Sequence, residues 1–204
     1  MNILQVNSSI YSSEGQSSQL ADRFVASLLE ANPDAQLVVR DLGRNPIPHL
    51  DAERFAALVQ EPGARTRAQQ TVVDQSDVLV GELRRADVLV LGLPMYNFGV
   101  PSQLKSWFDH IARAGVTFEY AAQGPVGLLT GHKAYVLAAR GGQYAGTPTD
   151  MQTAYVRHFL AFLGITDVAF VYAEGLAIGP DARAQSLAGA HHQIEDLIPE
   201  AVVA

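Results

Sequence analysis

The sequence predicts a doubly wound α/β domain, in which a five-stranded parallel sheet is covered by helices on both faces. Two observations carry this. Short apolar runs alternate along the whole chain with longer stretches of helical periodicity, the pattern of repeated strand–helix units. One of those runs, Asp87-Val88-Leu89-Val90-Leu91-Gly92-Leu93, is almost wholly apolar, as a strand buried on both faces must be.

Each element has its own signal. The first strand covers residues 2–6, and after a serine-rich loop a helix from Ser18 places Leu20, Phe24, Val25, Leu28 and Leu29 on one face. Residues 36–41 form the second strand. Asn45-Pro46-Ile47-Pro48 opens a long connection that carries a short helix at 52–59, followed by a longer helix at 67–85. The third strand ends at Leu93. Pro101 then opens a helix, because its missing N–H has no partner in a first turn, and Leu104, Trp107, Phe108, Ile111 and Ala112 share a face. The fourth and fifth strands are 133–139 and 167–172, with helices at 149–163 and 182–197, where Thr149 and Asp150 read as capping residues. No linker or composition shift divides residues 1–204, so a single domain is expected. Five strands favour the order 2-1-3-4-5, a flavodoxin-like plan whose crevice opens between strands one and three.

Composition narrows the function. The chain has 204 residues, of which 48% are hydrophobic and 17% charged, the profile of an ordinary globular protein. No apolar run approaches the roughly 18 residues of a membrane span, and the charged leader of a signal peptide is absent, so a cytoplasmic location and no membrane partner are expected. The absence of cysteine excludes disulfides, thiol catalysis and cysteine-ligated metals. A net charge of −7 argues against a nucleic-acid partner. Small-molecule chemistry remains.

Three loops face the expected crevice. Asn7-Ser8-Ser9-Ile10-Tyr11-Ser12-Ser13-Glu14-Gly15-Gln16-Ser17-Ser18 contains neither lysine nor arginine, yet offers hydroxyl, amide and backbone donors just before a helix N-terminus. Such a cradle suits a phosphate monoester better than a triphosphate with magnesium, and the nucleotide-triphosphate and dinucleotide glycine motifs are both missing. The plainer reading is a polar loop with Ser17 or Ser18 as helix cap. In Pro94-Met95-Tyr96-Asn97-Phe98-Gly99, proline fixes the strand exit, while Met95, Tyr96 and Phe98 could wall a flat heteroaromatic ring beside Asn97; hinge packing is the alternative. Arg140-Gly141-Gly142-Gln143-Tyr144-Ala145-Gly146 pairs glycines that let backbone approach a ligand or adopt positive φ, or simply turn. There is no nucleophile elbow and no zinc signature, and the pair His191-His192 reads as a solvated face. An enzyme so equipped borrows its reactivity from a cofactor, with no catalytic side chain and no metal.

Pro94-Met95-Tyr96-Asn97-Phe98, Gln103-Leu104-Lys105 and Ala112-Arg113-Ala114-Gly115-Val116-Thr117-Phe118 together resemble the FMN-dependent NADH-azoreductase family. Ser8-Ser9-Ile10, Gln16-Ser17, Asn45-Pro46-Ile47-Pro48, Arg140-Gly141-Gly142, Gly164-Ile165-Thr166-Asp167 and Ala173-Glu174-Gly175 match in the same order, so the resemblance spans nearly the whole chain. It implies a flavodoxin-like homodimer with bound FMN that carries electrons from NADH or NADPH to azo compounds, quinones or nitroaromatics. Carried over by position, Ser8, Gln16 and Ser17 would hold the FMN phosphate with Ser9 nearby. Pro94, Met95, Tyr96, Asn97 and Phe98 would line the isoalloxazine, with the Asn97 N–H approaching the reactive flavin nitrogen. Gly141 and Gly142 would meet the pyrimidine edge beside Tyr144. Tyr120 and Phe162, with Phe118, match the aromatic residues by which a partner subunit covers the flavin and shapes the acceptor site. The chain departs from the family at Gly15 and Ala139, where serines are familiar, and at Tyr144, where histidine is.

The implied mechanism is ping-pong in one slot, with a quinone needing one cycle and an azo bond two. Residues 116–129 are read as an insertion suited to dimerisation, which neither a helix nor the sheet accounts for. An electron-transfer flavodoxin without its own small-molecule acceptor is the competing reading, and a flavin-free phosphosugar-binding module a third.

Overall fold

In chain order the elements are β1 (Asn2–Asn7), α1 (Gln16–Ala31), β2 (Gln36–Asp41), α2 (Ala52–Val59), α3 (Arg67–Arg85), β3 (Val88–Pro94) and α4 (Ser102–Ile111). Then come β4 (Phe118–Ala121), β5 (Gly124–Gly127), β6 (Lys133–Ala139), α5 (Met151–Leu163), β7 (Asp167–Ala173) and α6 (Pro180–Ala201). This computed structural model describes residues 1–201, so the last three positions of the expected domain lie outside the described residues. The parallel sheet has the order β2-β1-β3-β6-β7, which is the expected 2-1-3-4-5 once the separate β4–β5 hairpin is left out of the count.

Alternation along the central strands divides the core into two layers. Leu4, Val6, Leu89, Leu91, Ala134 and Val136 pack against α3, α4 and α5 through Leu83, Trp107, Phe108 and Leu160. Ile3, Val88, Val90, Tyr135 and Leu137 pack on the other face against Phe24 and Leu28 of α1 and Ile194 of α6. The edge strand β2 departs from the expectation of a fully covered sheet. Leu37, Val38 and Val39 are exposed, since β2 has a strand neighbour on one side only.

Several expectations are corrected at their ends. The first helix starts at Gln16 with Gly15 as its cap, so neither Ser17 nor Ser18 caps it. Pro101 caps α4 rather than opening it, and Asp150 alone caps α5, accepting from the Thr153 amide, while Thr149 bonds to Thr147. The last helix, from Pro180 to Ala201, starts two residues before and ends four residues after the expected 182–197. The segment read as belonging to no sheet is an antiparallel hairpin, Phe118–Ala121 paired with Gly124–Gly127. Its entry is built by the Arg113 to Thr117 motif: the Arg113 amide donates to Thr117 Oγ1 at 2.9 Å and that hydroxyl donates to the Ile111 carbonyl at 2.6 Å. Strands this short, interrupted by Gly124, Pro125 and Gly127, carry little period-two signal.

A buried histidine makes the core sensitive to acid. His110 is fully buried, its Nε2 lies 3.1 Å from the Pro48 carbonyl, and its Nδ1 has no partner. A carbonyl only accepts, so Nε2 carries the proton and the charged ring would place a second N–H against nothing. Burial pushes the pKa down, against the opposing Pro48 bond. The unfolded chain then binds the extra proton first, and stability falls as pH drops below about 6.5. His110→Gln keeps a donor for Pro48, so its Tm should decline less steeply than that of the parent between pH 7 and 5. Parallel slopes would remove His110 as the cause.

Candidate functional site

At the carboxyl ends of β1 and β3 the sheet order reverses, and the loops that leave there diverge around a crevice. The loop after β1 leads into α1, whose first-turn amides have no intrahelical acceptor. Ser17 and Ser18 are fully buried in that turn and their hydroxyl oxygens have no hydrogen-bond partner. An unpaired buried hydroxyl costs about 1–3 kcal/mol, which an anion at the helix N-terminus would relieve. The Gln16 side chain is half-buried and rests on Gln19 Oε1 at 3.0 Å. Ser8 is placed differently from Ser17. Its buried hydroxyl donates to the Gly92 carbonyl at 2.7 Å, tying β1 to β3 instead of facing the crevice with a free proton.

Ser9 explains the departure at Gly15. A Cβ on Gly15 would stand 2.1 Å from Ser9 Oγ and 2.5 Å from Ser9 Cβ, so a side chain here would displace the Ser9 hydroxyl. That hydroxyl accepts from the Tyr11 amide at 3.2 Å and lies 3.4 Å from the Tyr96 hydroxyl, which also accepts from the Ile10 amide at 3.3 Å. Tyr96 therefore links the serine loop to the loop after β3. Sequence reasoning missed Asp41, which accepts from Ser12 and from the Gly43 and Arg44 amides and holds the serine loop where Ser12 takes a φ of 53°.

The loop after β3 is a tight reversal. Tyr96 and Gly99 exchange backbone hydrogen bonds of 3.3 and 3.0 Å, and between them Asn97 and Phe98 have φ of 49° and 66°. Asparagine enters the left-handed region readily, whereas for phenylalanine it costs roughly 1–2 kcal/mol. Met95 donates its amide to the Ala139 carbonyl at 3.1 Å, and Pro94 is buried at the strand end. Phe98 is 55% exposed and meets Tyr144 edge-on at 5.7 Å. A cleft of about 630 Å³ opens beside this turn, lined by Asn97, Phe98, Val100, Met151, Gln152 and Tyr155.

In the third loop the Gly141 and Gly142 carbonyls accept from the Ala177 and Gly175 amides at 3.0 and 2.8 Å. Neither glycine has positive φ; Gly142 is needed for close approach, because a Cβ there would meet the Tyr144 hydroxyl at 2.7 Å. Beneath lies a network that the sequence did not disclose. Arg140, fully buried, is bound by Glu174 at 3.0 Å, Asp150 at 3.0 Å, Thr153 Oγ1 at 2.9 Å and Gln152 Oε1 at 3.3 Å. Burial pushes the Asp150 carboxyl up, but the Arg140 guanidinium and the Thr153 amide and hydroxyl outweigh it and hold the group below the usual carboxylate range. Glu174 also accepts from the Tyr144 and Ala145 amides at 3.0 Å, so Arg140 anchors the glycine loop.

The aromatic residues expected over the acceptor are not brought to this crevice within one chain. Phe118, Tyr120 and Phe162 form their own cluster, with ring centroids 5.4 Å apart for Phe118–Tyr120 and 4.4 Å for Phe118–Phe162. Tyr120 is 79% exposed, Phe162 half-buried, and Phe118 is buried beneath both. Their hairpin joins the end of α4 to the start of β6, and Leu129 donates to the carbonyl of Leu163 at the end of α5. In a parallel α/β unit those points lie at the amino ends of the strands, about 20 Å from the crevice across a strand of this length. Beside the cluster a groove of about 510 Å³ is lined by Phe55, Val59 and Arg113. Phe55 was missed because its amphipathic helix reads as ordinary packing, although the ring is 57% exposed.

A family model described as flavodoxin-like fold matches residues 1–198. A protein of Paraburkholderia phymatum named FMN-dependent NADH:quinone oxidoreductase is 53% identical over 192 residues, which cover 94% of this chain and 97% of the relative. The crystal structure of an azoreductase from Bacillus anthracis superposes with a TM-score of 0.90 at 28% identity, covering 98% of this chain and 99% of the other. An FMN-dependent NADH-azoreductase from the same species, solved in complex with FMN, gives a TM-score of 0.89 at 25% identity over 99% and 100% of the two chains. With its sheet order, its crevice loops and nearly its full length matched, the chain belongs to the flavodoxin-like-fold family and, within it, to the FMN-dependent NADH-azoreductases and NADH:quinone oxidoreductases.

Proposed function

We infer that the protein is an FMN-dependent oxidoreductase that passes two electrons from NADH to quinones and azo compounds. The observation that carries the reading is the pair of buried Ser17 and Ser18 hydroxyls in the first turn of α1, which have no hydrogen-bond partner within the chain and stand at a helix N-terminus suited to an anion. The residues fit the FMN phosphate because neutral donors and a helix terminus suffice for a phosphate monoester. FMN held there would supply the redox chemistry, two-electron transfer between NADH and the acceptor. The chain's own residues bind and orient. Ser17, Ser18, Ser9 and the Gln16 amide hold the phosphate. Met95, Tyr96, Asn97 and Phe98 would line the ring, with the Asn97 N–H as a donor to it, and the Gly141 and Gly142 amides would serve its polar edge. Tyr144, packed on Phe98, closes that side.

The acceptor site is shared between two copies of the chain. What supports this is the distance within one chain between the crevice and the exposed Tyr120 and Phe162, together with the apolar lining of the cleft beside Phe98. Phe118 acts from beneath, backing the other two rings. The single domain over the chain works in the cytoplasm, where reduced nicotinamide is available, and nitroaromatics fall within the same class of flat electron-poor acceptors.

Steady-state kinetics of the FMN-loaded protein with NADH and a soluble quinone tests the function. Parallel double-reciprocal lines are expected; bound FMN without NADH oxidation would favour the electron carrier, and failure to bind FMN would overturn both. Tyr120→Leu and Phe162→Leu should change acceptor KM and kcat by up to about tenfold with FMN content retained. Light scattering should give twice the chain mass. Lower Tm with unaltered acceptor kinetics would return both residues to the core.

A further inference from the structure

Gln152, the second residue of α5, is 1% exposed and every polar hydrogen of its amide is engaged. Nε2 donates to the Pro94 carbonyl at 2.8 Å and to the Gly99 carbonyl at 3.0 Å. Oε1 accepts from Arg140 Nε at 3.3 Å. The opposite amide orientation would set Oε1 against two carbonyl oxygens and Nε2 against a guanidinium, so Arg140 and the two carbonyls together fix which way the group points. Pro94 and Gly99 are the two ends of the reversal that contains Asn97 and Phe98. One side chain therefore holds both ends of the loop.

That loop needs holding. Its backbone hydrogen bonds and the paired positive φ values of Asn97 and Phe98 describe a two-residue turn with both central residues left-handed, a geometry that Asn followed by Gly adopts unaided and that Phe resists. Unfavourable backbone conformations persist where the surroundings over-determine them. Here the surroundings are Gln152 beneath the turn and Tyr144 against the Phe98 ring, and the Tyr144 loop is itself tied through Glu174 to the same Arg140.

We propose that Gln152 is a positioning residue: it clamps the Pro94 and Gly99 carbonyls, keeps the Asn97–Phe98 turn left-handed, and so fixes the Asn97 amide and the Phe98 ring against the flavin. The proposal rests on the reading that residues 95–98 line FMN. Without the clamp the Phe98 backbone relaxes towards right-handed or extended conformations, and the Asn97 N–H and the ring leave their places together. The clamp acts on the conformation that Phe resists, so its importance depends on which residue stands at position 98.

A double-mutant cycle tests this with two readouts on the protein carrying FMN: the dissociation constant for FMN and the visible circular dichroism of the bound flavin. Gln152→Leu should weaken FMN binding about tenfold and alter the dichroism, since two carbonyls lose their donor and the turn relaxes. In the Phe98→Gly background the same change should weaken binding by less than about threefold and leave the dichroism of that background unaltered, because the turn no longer needs the clamp. Gln152→Glu, which keeps the size and the acceptor for Arg140 but removes both N–H donors, serves if Gln152→Leu does not fold. An equal loss in both backgrounds would make Gln152 a packing residue and overturn the proposal, as would unchanged binding and dichroism in Gln152→Leu. Failure of the parent protein to bind FMN would instead overturn the functional reading beneath it.

Discussion

Ser17→Asp is expected to purify without FMN and to regain little of it on titration. The parent hydroxyl is fully buried at the first turn of α1 and has no partner of its own. A hydrogen bond to a charged phosphate contributes roughly 1.5–3 kcal/mol, so Ser17→Ala alone should weaken FMN binding about ten- to a hundredfold. Aspartate does more. Its carboxylate can take the first-turn amides that the phosphate would use, and it sets like charge beside the phosphate, worth about 4 kcal/mol at 4 Å under a surface-like dielectric. A carboxylate at a helix N-terminus is locally favourable, so the FMN-free variant should keep its fold while losing the cofactor. Titration followed by flavin fluorescence, with Tm of the FMN-free proteins alongside, separates the two effects. Unchanged affinity in Ser17→Ala would remove this turn as the phosphate site.

The central strands were legible because buried parallel strands are nearly uniform in polarity, and Val88–Pro94 and Lys133–Ala139 fall where the apolar runs place them. The long helix Arg67–Arg85 also falls where it was expected, and in the structure Thr66 and Gln69 close a capping box at its start. Ends and turns were harder. Gly15 caps α1 without a side chain, so the serines that look like caps are left free for another role. The hairpin at 118–127 has strands of four residues whose pairing no local pattern announces. The crevice could be placed from strand order, because chain reversal in the sheet dictates where loops diverge. Its chemistry was legible only in part. Serine content suggested a phosphate cradle, but that Ser8 faces β3 and Ser17 faces nothing depends on side-chain directions that only packing sets. The left-handed Phe98 could not be read at all, since local preference argues against it. Asp150 was legible as a cap and is one; its second task, pairing with a buried arginine ten positions earlier in the chain, exists only in three dimensions.

Arg140→Met should lower stability by about 3–5 kcal/mol, the usual cost of removing one partner from a buried ion pair. The guanidinium has no solvent exposure and serves two carboxylates, Asp150 and Glu174, along with Thr153 and Gln152, while the Tyr172 ring lies 5.0 Å away. Methionine fills comparable space but leaves both carboxylates with no cation. For a chain of this length the loss corresponds to a Tm lower by roughly 6–20 °C, measured without FMN so that cofactor binding does not enter. Arg140→Lys should recover only part of it, because one ammonium cannot reach all four partners of a planar fork. The pH dependence identifies the cause. Asp150 is held below the usual carboxylate range in the parent, so its contribution is fully present above the ordinary carboxylate pKa and is lost as pH falls through its lowered value. In Arg140→Met the burial that opposes ionisation is countered only by the Thr153 amide and hydroxyl, and the carboxyl takes up its proton at higher pH than in the parent. The stability gap between the two proteins should therefore be full at pH 7 and narrow below about pH 4. A gap that stays constant across that range would mean that Arg140 stabilises through packing of its stem, and that the ion pairs beneath the glycine loop contribute nothing measurable.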